Sequence, residues 1–411
     1  MSLYWSAIAC CPVQLDDLQL NLLLKKGIWK HWAEDLKPEE VTDYRRFYSG
    51  KAADIFRSKT GGRYTLNLKN SIFGPLVLES KEQSVSISTL TLVVFQSMAV
   101  AYLHYDSTEF SDTNSLYEVD KTAFSFFPKR SNHKLPLWYS EATGKTNTLN
   151  QWLGELLNSP SISSTENTED WFGNELPRCI YVGTQNNASH AELLVGLASG
   201  ANPLKKGYEL SKEEYQRLDE SRFSVWKNWQ CLMNEGNLVF AEFNEGATTP
   251  LYTNLISFQF YFDLFVAVLF QKISLNDFRH KLMADNSNEM NEALQEFRMN
   301  YRLNRYSTYT LSHRLYRYFA TSLSLESEES LVFDEMTHMH ESRLRELESR
   351  DGRLSALFSV LAALFLPATS IATIVALDDW EMDQKFWGIS LGITGVLIVA
   401  SILVWFPFKK R

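Results

Sequence analysis

Two long stretches near the end of this chain carry no charge at all. Residues 354–377, LSALFSVLAALFLPATSIATIVAL, run for 24 residues, and residues 386–408, FWGISLGITGVLIVASILVWFPF, for 23. As helices each is ~35 Å long, enough to cross a ~30 Å hydrocarbon core. One such run can hide inside a soluble bundle. Two in tandem predict a transmembrane hairpin, with the eight residues 378–385, DDWEMDQK, as the connecting loop.

Charge sets the orientation. Arg343, Arg345, Arg350 and Arg353 precede the first span, and Lys409, Lys410 and Arg411 follow the second. The loop holds Asp378, Asp379, Glu381 and Asp383 against Lys385 alone. Basic residues stay on the cytoplasmic side, so both termini are expected in the cytoplasm and the loop outside an inner (cell) membrane. Trp380 and Trp387 sit where the outer interface would lie, and Trp405 at the inner one.

About 350 of the 411 residues precede the first span, room for a large soluble domain. A net charge of -9 argues against a direct nucleic-acid binder. The start, MSLYWSAIACC, lacks the basic segment of a signal peptide. Cys10, Cys11, Cys179 and Cys231 show no CxxC spacing and suit a reducing compartment. Residues 158–170 read as a surface loop.

Alternation predicts strands at Arg63–Leu68, Val85–Val94, Cys179–Val182 and Leu238–Phe243. Helices are expected around Leu15–Lys26, Pro38–Ser49, Leu149–Leu157 and Ser189–Ala198. Phe95–Tyr105 fits strand or helix. The apolar run Leu251–Ile273 contains Asn254, Gln259 and Asp263, which marks a buried helix rather than a third span. A long amphipathic helix is expected over Glu289–Leu325, and a break over Ser322–Ser330. A stalk helix then starts at Ser330 and runs to Leu377 as a ~72 Å rod, with Gly352 its weak point. Glu341–Arg345 and Glu346–Arg350 support it as i,i+4 pairs.

The expected class is thus α+β. A cytoplasmic α/β domain spans 1–248, and its helical part spans 249–329. The stalk covers 330–353, the first span 354–377, the acidic loop 378–385, the second span 386–408 and the basic tail 409–411. A membrane anchor needs neither a rod nor a second span. A charged rod feeding a membrane helix reads as a gate.

Here the chain resembles the CorA family of divalent-cation channels. The segment Leu364–Ala372, LFLPATSIA, is similar to that family's first-span signature, with Pro367 in place, and KFWGISLGITGVL and the final KKR to its second span and tail. The local likeness covers about 55 residues. It implies a funnel-shaped homopentamer in the lipid bilayer, with the first spans around a pore. The family's Gly-Met-Asn at the pore mouth is replaced by Ala376-Leu377-Asp378. A ring of Asp attracts hard cations through carboxylate oxygens but does not reproduce a neutral amide filter, which puts Mg2+ selectivity in doubt.

Positions matched through the resemblance define a stripe: Ser355, Phe358, Ala362, Leu366, Thr369, Thr373 and Ala376. Steps of three or four place them on one helix face. Phe358 and Leu366 would form apolar constrictions, and Thr369 and Thr373 would offer hydroxyls to a hydrated ion. The same face also suits plain helix–helix packing. Asp378, Asp379, Glu381 and Asp383 give the loop a charge of -3, roughly -15 around a pentameric mouth.

Other candidates divide between site and surface. Asp334, His338 and Glu341 share a stalk face and could meet a metal between subunits, or simply be solvated. Lys129, Arg130 and Lys134, after Phe126 and Phe127, suit a phosphate and a stacked base, or an exposed basic loop. Gly144-Lys145-Thr146 fails the P-loop pattern, because Tyr139 stands where a glycine is needed. Asn187-Ala188-Ser189 is a glycosylation sequon on the side expected to be cytoplasmic. No motif of enzymatic chemistry appears, so the chain is not read as an enzyme.

Two functions follow. One is a CorA-like cation transporter. The other resembles the branch of CorA-like proteins associated with type III CRISPR loci, in which a nucleotide second messenger triggers membrane damage in antiviral defence. The lost filter motif and the aromatic-rich soluble domain lean toward the second.

Overall fold

The structure is a computed structural model. It describes residues 3–14, 17–25, 27–34, 36–57, 62–79, 83–95, 98–128, 134–159, 175–184, 190–202, 209–225, 228–243, 260–283, 287–303, 305–377, 392 and 395. The chain divides into two units, Met1–Val332 and Phe333–Arg411. The class is mixed α+β, built on one large sheet.

In the first unit the elements run β1 (Leu3–Gln14), α1 (Asp17–Lys25), β2 (Lys30–His31), α2 (Pro38–Phe47), α3 (Gly50–Arg57), β3 (Arg63–Asn67), β4 (Leu76–Glu79), β5 (Ser84–Phe95) and β6 (Met98–Phe110). Next come α4 (Thr113–Ala123), β7 (Leu137–Ser140), β8 (Thr146–Thr148), α5 (Leu149–Leu157), β9 (Arg178–Thr184), α6 (His190–Ser199), α7 (Lys212–Glu220), β10 (Trp229–Asn234) and β11 (Asn237–Phe243). Helices α8 (Phe260–Met283), α9 (Ser287–Asn300) and α10 (Thr310–Ser322) lead into α11 (Leu325–Leu377), which continues into the second unit.

The sheet order is β10-β11-β9-β1-β6-β5-β4-β7-β8, with β3 on β5 and β2 on β3. Only β9–β11 is parallel among the described pairs. The first strand therefore lies inside the sheet, between β6 and β9, although its sequence gave little sign of a strand. Its odd residues, Leu3 to Val13, enter the main core, and Ile8 and Cys10 are buried as well. A strand covered on both faces reads as a continuous apolar run, without alternation. Pro12 is tolerated because the pairing with β9 ends at Ala9↔Arg178. Cys10 N–H donates to Pro177 O on that side, so two residues later the missing donor points beyond the last pair.

Of the segment Phe95–Tyr105, Phe95 ends β5 and Met98–Tyr105 opens β6, the two strands pairing from Phe95↔Met98 outward. The core on one face is completed by α4, α5 and α6. A side chain at Gly196 of α6 would collide with the Tyr117 ring of α4, so a glycine is required for that close approach. Helix α8 covers the opposite face. Phe270 stacks on Phe95 at 4.3 Å, and Phe262 meets Tyr102 edge-on at 4.8 Å. The described part of the expected helix Leu251–Ile273 is thus a core helix, extended to Met283.

Two expectations need correction. Glu289–Leu325 is two helices, α9 and α10, separated by residues 301–309. That stretch supplies hydrogen bonds to the α2–α3 junction: Ser307 Oγ donates to Phe47 O at 2.7 Å, and Ser49 N–H to Tyr306 O at 3.0 Å. A continuous helix would leave both groups at the junction unmatched. The break expected over Ser322–Ser330 is narrower, only Leu323 and Ser324, because Ser324 turns the chain sharply in the left-handed region at φ 52°. Helix α11 then begins at Leu325, five residues earlier than expected.

In the second unit, α11 passes through Gly352 without interruption to Leu377. Its 53 residues make a rod of ~80 Å. Arg345 Nη2 lies 3.5 Å from Glu341 Oε2, one of the i,i+4 pairs expected along it.

Candidate functional site

The root of α11 is held in the first unit. Leu325 and Val332 are buried, Lys272 of α8 pairs with Glu328, and Arg302 Nε lies 2.8 Å from Glu329 Oε2. Leaving this anchorage, the helix carries charged residues through Arg353 and none over 354–377. Its apolar residues Leu344, Leu347, Leu354, Leu357, Phe358 and Leu361 are all exposed, Phe358 by 67%. Among the described residues, a run of apolar side chains left exposed in this way marks a surface for lipid or another chain.

The helix backbone places Ser355, Phe358, Ala362, Leu366, Thr369, Thr373 and Ala376 along one stripe, as their spacing requires. Ser355, Phe358 and Ala362 are exposed. The side chains of Leu366, Thr369, Thr373 and Ala376 lie outside the described residues, as do the acidic loop with Asp378, Asp379, Glu381 and Asp383, and the second span. Among the described residues no helix is long and apolar enough to cross a membrane. Most side chains of the uncharged run fall outside that set.

Asp334, His338 and Glu341 are exposed along α11. Among the described residues of one chain, no three His, Cys, Asp or Glu are grouped to hold a metal. Lys129 and Arg130 lie outside the described residues, and Lys134 is exposed ahead of β7. All four cysteines are free and buried, and burial pushes their thiols up.

Two buried charge clusters escaped sequence reasoning. In the first, Asp263 of α8 accepts two bonds from Arg63 Nη1, at 3.0 and 2.9 Å, one from Tyr48 Oη at 2.5 Å and one from Tyr102 Oη at 3.3 Å. Arg57 Nη2 reaches the same carboxylate at 3.4 Å, and its guanidinium lies over the rings of Trp32, Tyr44 and Phe260. Burial, then the Asp263 charge, pushes the Tyr48 and Tyr102 phenols up, so both stay protonated as donors. One sign was visible: an acid inside FYFDLFVAVLF requires a partner.

In the second cluster, the fully buried Arg178 of β9 bridges Asp120 of α4 at 3.1 Å and Glu175 at 3.0 Å, over the Phe124 ring. Burial pushes the Asp120 carboxyl up to about 6, against the pull of Arg178. A cavity of about 180 Å³ opens beside it, walled by Tyr117, Lys121, Ser199 and Asn202. Arg178 is already engaged by two carboxylates, so an entering anion would have to displace one.

No family model matches the chain, and no curated protein matches it. The fold and the long helix therefore carry the functional reading between them.

Proposed function

We propose that the chain is a CorA-like pentameric membrane channel, gated by its cytoplasmic unit and opened by a nucleotide second messenger as an effector of type III CRISPR antiviral defence. The observation that carries this reading is α11. One unbroken helix is clamped at its root by Lys272 and Arg302, is charged over its first half, and is uncharged over its last 24 residues. Such a rod can transmit a displacement of its root to a membrane segment without a joint to absorb it. Residues 354–377 would line the pore, with Phe358 and Leu366 as apolar constrictions closed by dewetting. The lost Gly-Met-Asn and the aromatic-rich cytoplasmic unit support ligand control.

The acidic loop favours a second reading, a divalent cation transporter of the Mg2+ type. Asp378, Asp379, Glu381 and Asp383 from five chains would concentrate cations at the mouth by field alone.

Ion flux in liposomes separates the two. The effector reading expects a closed pore that leaks when a signalling nucleotide is added. Mg2+ uptake without nucleotide would favour the transporter. No flux under either condition would remove both.

A further inference from the structure

Two buried polar atoms are left over in the wall of the cavity of about 180 Å³ between α4 and α6. Asp120 Oδ1 and Arg178 Nε make no hydrogen bond among the described residues, although Asp120 is only 3% exposed and Arg178 0%. The remaining atoms of both groups are spent: Arg178 Nη2 donates to Asp120 Oδ2 at 3.1 Å, and Nη1 to Glu175 Oε2 at 3.0 Å. The Trp5 indole N–H approaches Asp120 and is itself left over, so that approach falls short of a bond. A buried acceptor and a buried donor without partners each cost roughly 1–3 kcal/mol, which an occupant of the cavity can recover. A cavity of about 150 Å³ holds a six-membered ring, so this one has room for several non-hydrogen atoms.

The wall selects the charge of that occupant. Glu118, Asp120 and Glu175 stand against Lys121 and Arg178, three carboxylates against two cations. Helix α6 ends at the same wall with Ser199, and a helix C-terminus carries negative partial charge. A wider hollow of about 610 Å³ shares Gly196 and Ala201 with the cavity and sets Glu192 and Glu209 against Lys212, so the approach has the same sign. An anion reaches Arg178 only by displacing a carboxylate. An ammonium ion meets the Asp120 carboxylate with N–H groups to donate. A metal ion could answer that carboxylate but not the Arg178 Nε–H, which asks for an oxygen acceptor.

We infer that this cavity binds a small organic ammonium ion that also carries a neutral oxygen, the chemistry of an amino alcohol. The ammonium donates to Asp120 Oδ1, and the oxygen accepts from Arg178 Nε. The inference does not rest on the channel reading and holds equally for a chain that conducts nothing.

Calorimetry on the full-length protein in detergent micelles tests it, with aminopropanol as the probe. Butylamine keeps the charge and loses the acceptor, propanediol loses the charge, and hydroxypropanoate reverses it. Aminopropanol is expected to bind saturably, butylamine about tenfold more weakly, and the other two not at all. Asp120→Asn should weaken aminopropanol about tenfold or more. Ala201→Leu, which fills the wall and keeps every charge, should abolish binding. Lys121→Gln removes a like charge at an exposed position and should tighten binding about twofold. If the Asp120→Asn chain does not fold, the sign of the change at Lys121 decides alone. Equal binding of butylamine, tighter binding of hydroxypropanoate, weaker binding in Lys121→Gln, or no saturable binding at all overturns the inference. In the last case the cavity holds ordered water only.

Discussion

Arg63 and Asp263 are 200 residues apart in sequence, yet one guanidinium nitrogen of Arg63 bonds both carboxylate oxygens of Asp263, at 3.0 and 2.9 Å. The pair ties helix α8 to strand β3 on the side of the sheet opposite the main core. Both side chains are essentially inaccessible. Removing one member strands the other in a medium that cannot solvate it. Asp263→Ala is expected to cost about 3–5 kcal/mol, read as a drop in the denaturant midpoint followed by tryptophan fluorescence. A loss below about 1 kcal/mol would mean that water replaces the carboxylate.

The Asp120 carboxyl, raised to about 6 by burial, gives a pH dependence of definite sign. Its folded pKa lies above the ordinary carboxylate value, so the folded state holds the proton more tightly. The stability this contributes is full below about pH 4 and is lost as pH rises through about 6. Asp120→Asn cannot titrate. The stability of the parent relative to this variant should therefore decline by on the order of 1–3 kcal/mol from pH 4 to 7. Parallel pH curves for the two proteins would contradict the assignment.

Ser324 occupies the left-handed region between α10 and α11, where a β-carbon is strained. Ser324→Gly should leave stability unchanged or raise it by up to about 1 kcal/mol, while Ser324→Val should lower it by about 1–2 kcal/mol. Thermal unfolding of the purified chain measures both. If the turn also sets the direction of the rod, the valine variant will alter nucleotide-dependent flux as well as stability.

At the expected pore mouth, Asp378→Asn should change the preference between divalent and monovalent cations and leave assembly intact. Reversal potentials in planar bilayers, beside size-exclusion chromatography of the purified protein, read the two effects separately. Unchanged selectivity would take Asp378 out of the ion path. Within the stripe, Phe358→Ser should raise basal leak, because a polar ring cannot close by dewetting.

Much of the architecture was legible in local pattern. β3, β5, β9 and β11 fall close to where alternation placed them, and helices α2, α5 and α6 close to the ranges expected for them. The strand β1 did not, because burial on both faces erases its alternation. The Glu289–Leu325 segment looked like one helix because its composition is helical throughout. Its interruption comes from the backbone of residues 47–49, and nothing in the segment records their position. Of the candidate site, the rod was readable as a long helical stretch, while the stripe along it came from the resemblance. Asp263 was readable only as an anomaly, since its partners lie on β3, β6 and the α2–α3 pair.

What the sequence determined by itself is a pattern of charge: two uncharged runs, a basic border on either side, an acidic stretch between them, and a charged helical segment leading in. These are properties of neighbours along the chain, where spacing and sign are already geometry. Tertiary structure alone decided that the first strand sits inside the sheet, that α8 lies buried against it through Asp263, and that Arg178 bridges α4 to β9. Those contacts join residues that are distant in sequence, and their energies arise only when water is excluded from both partners at once.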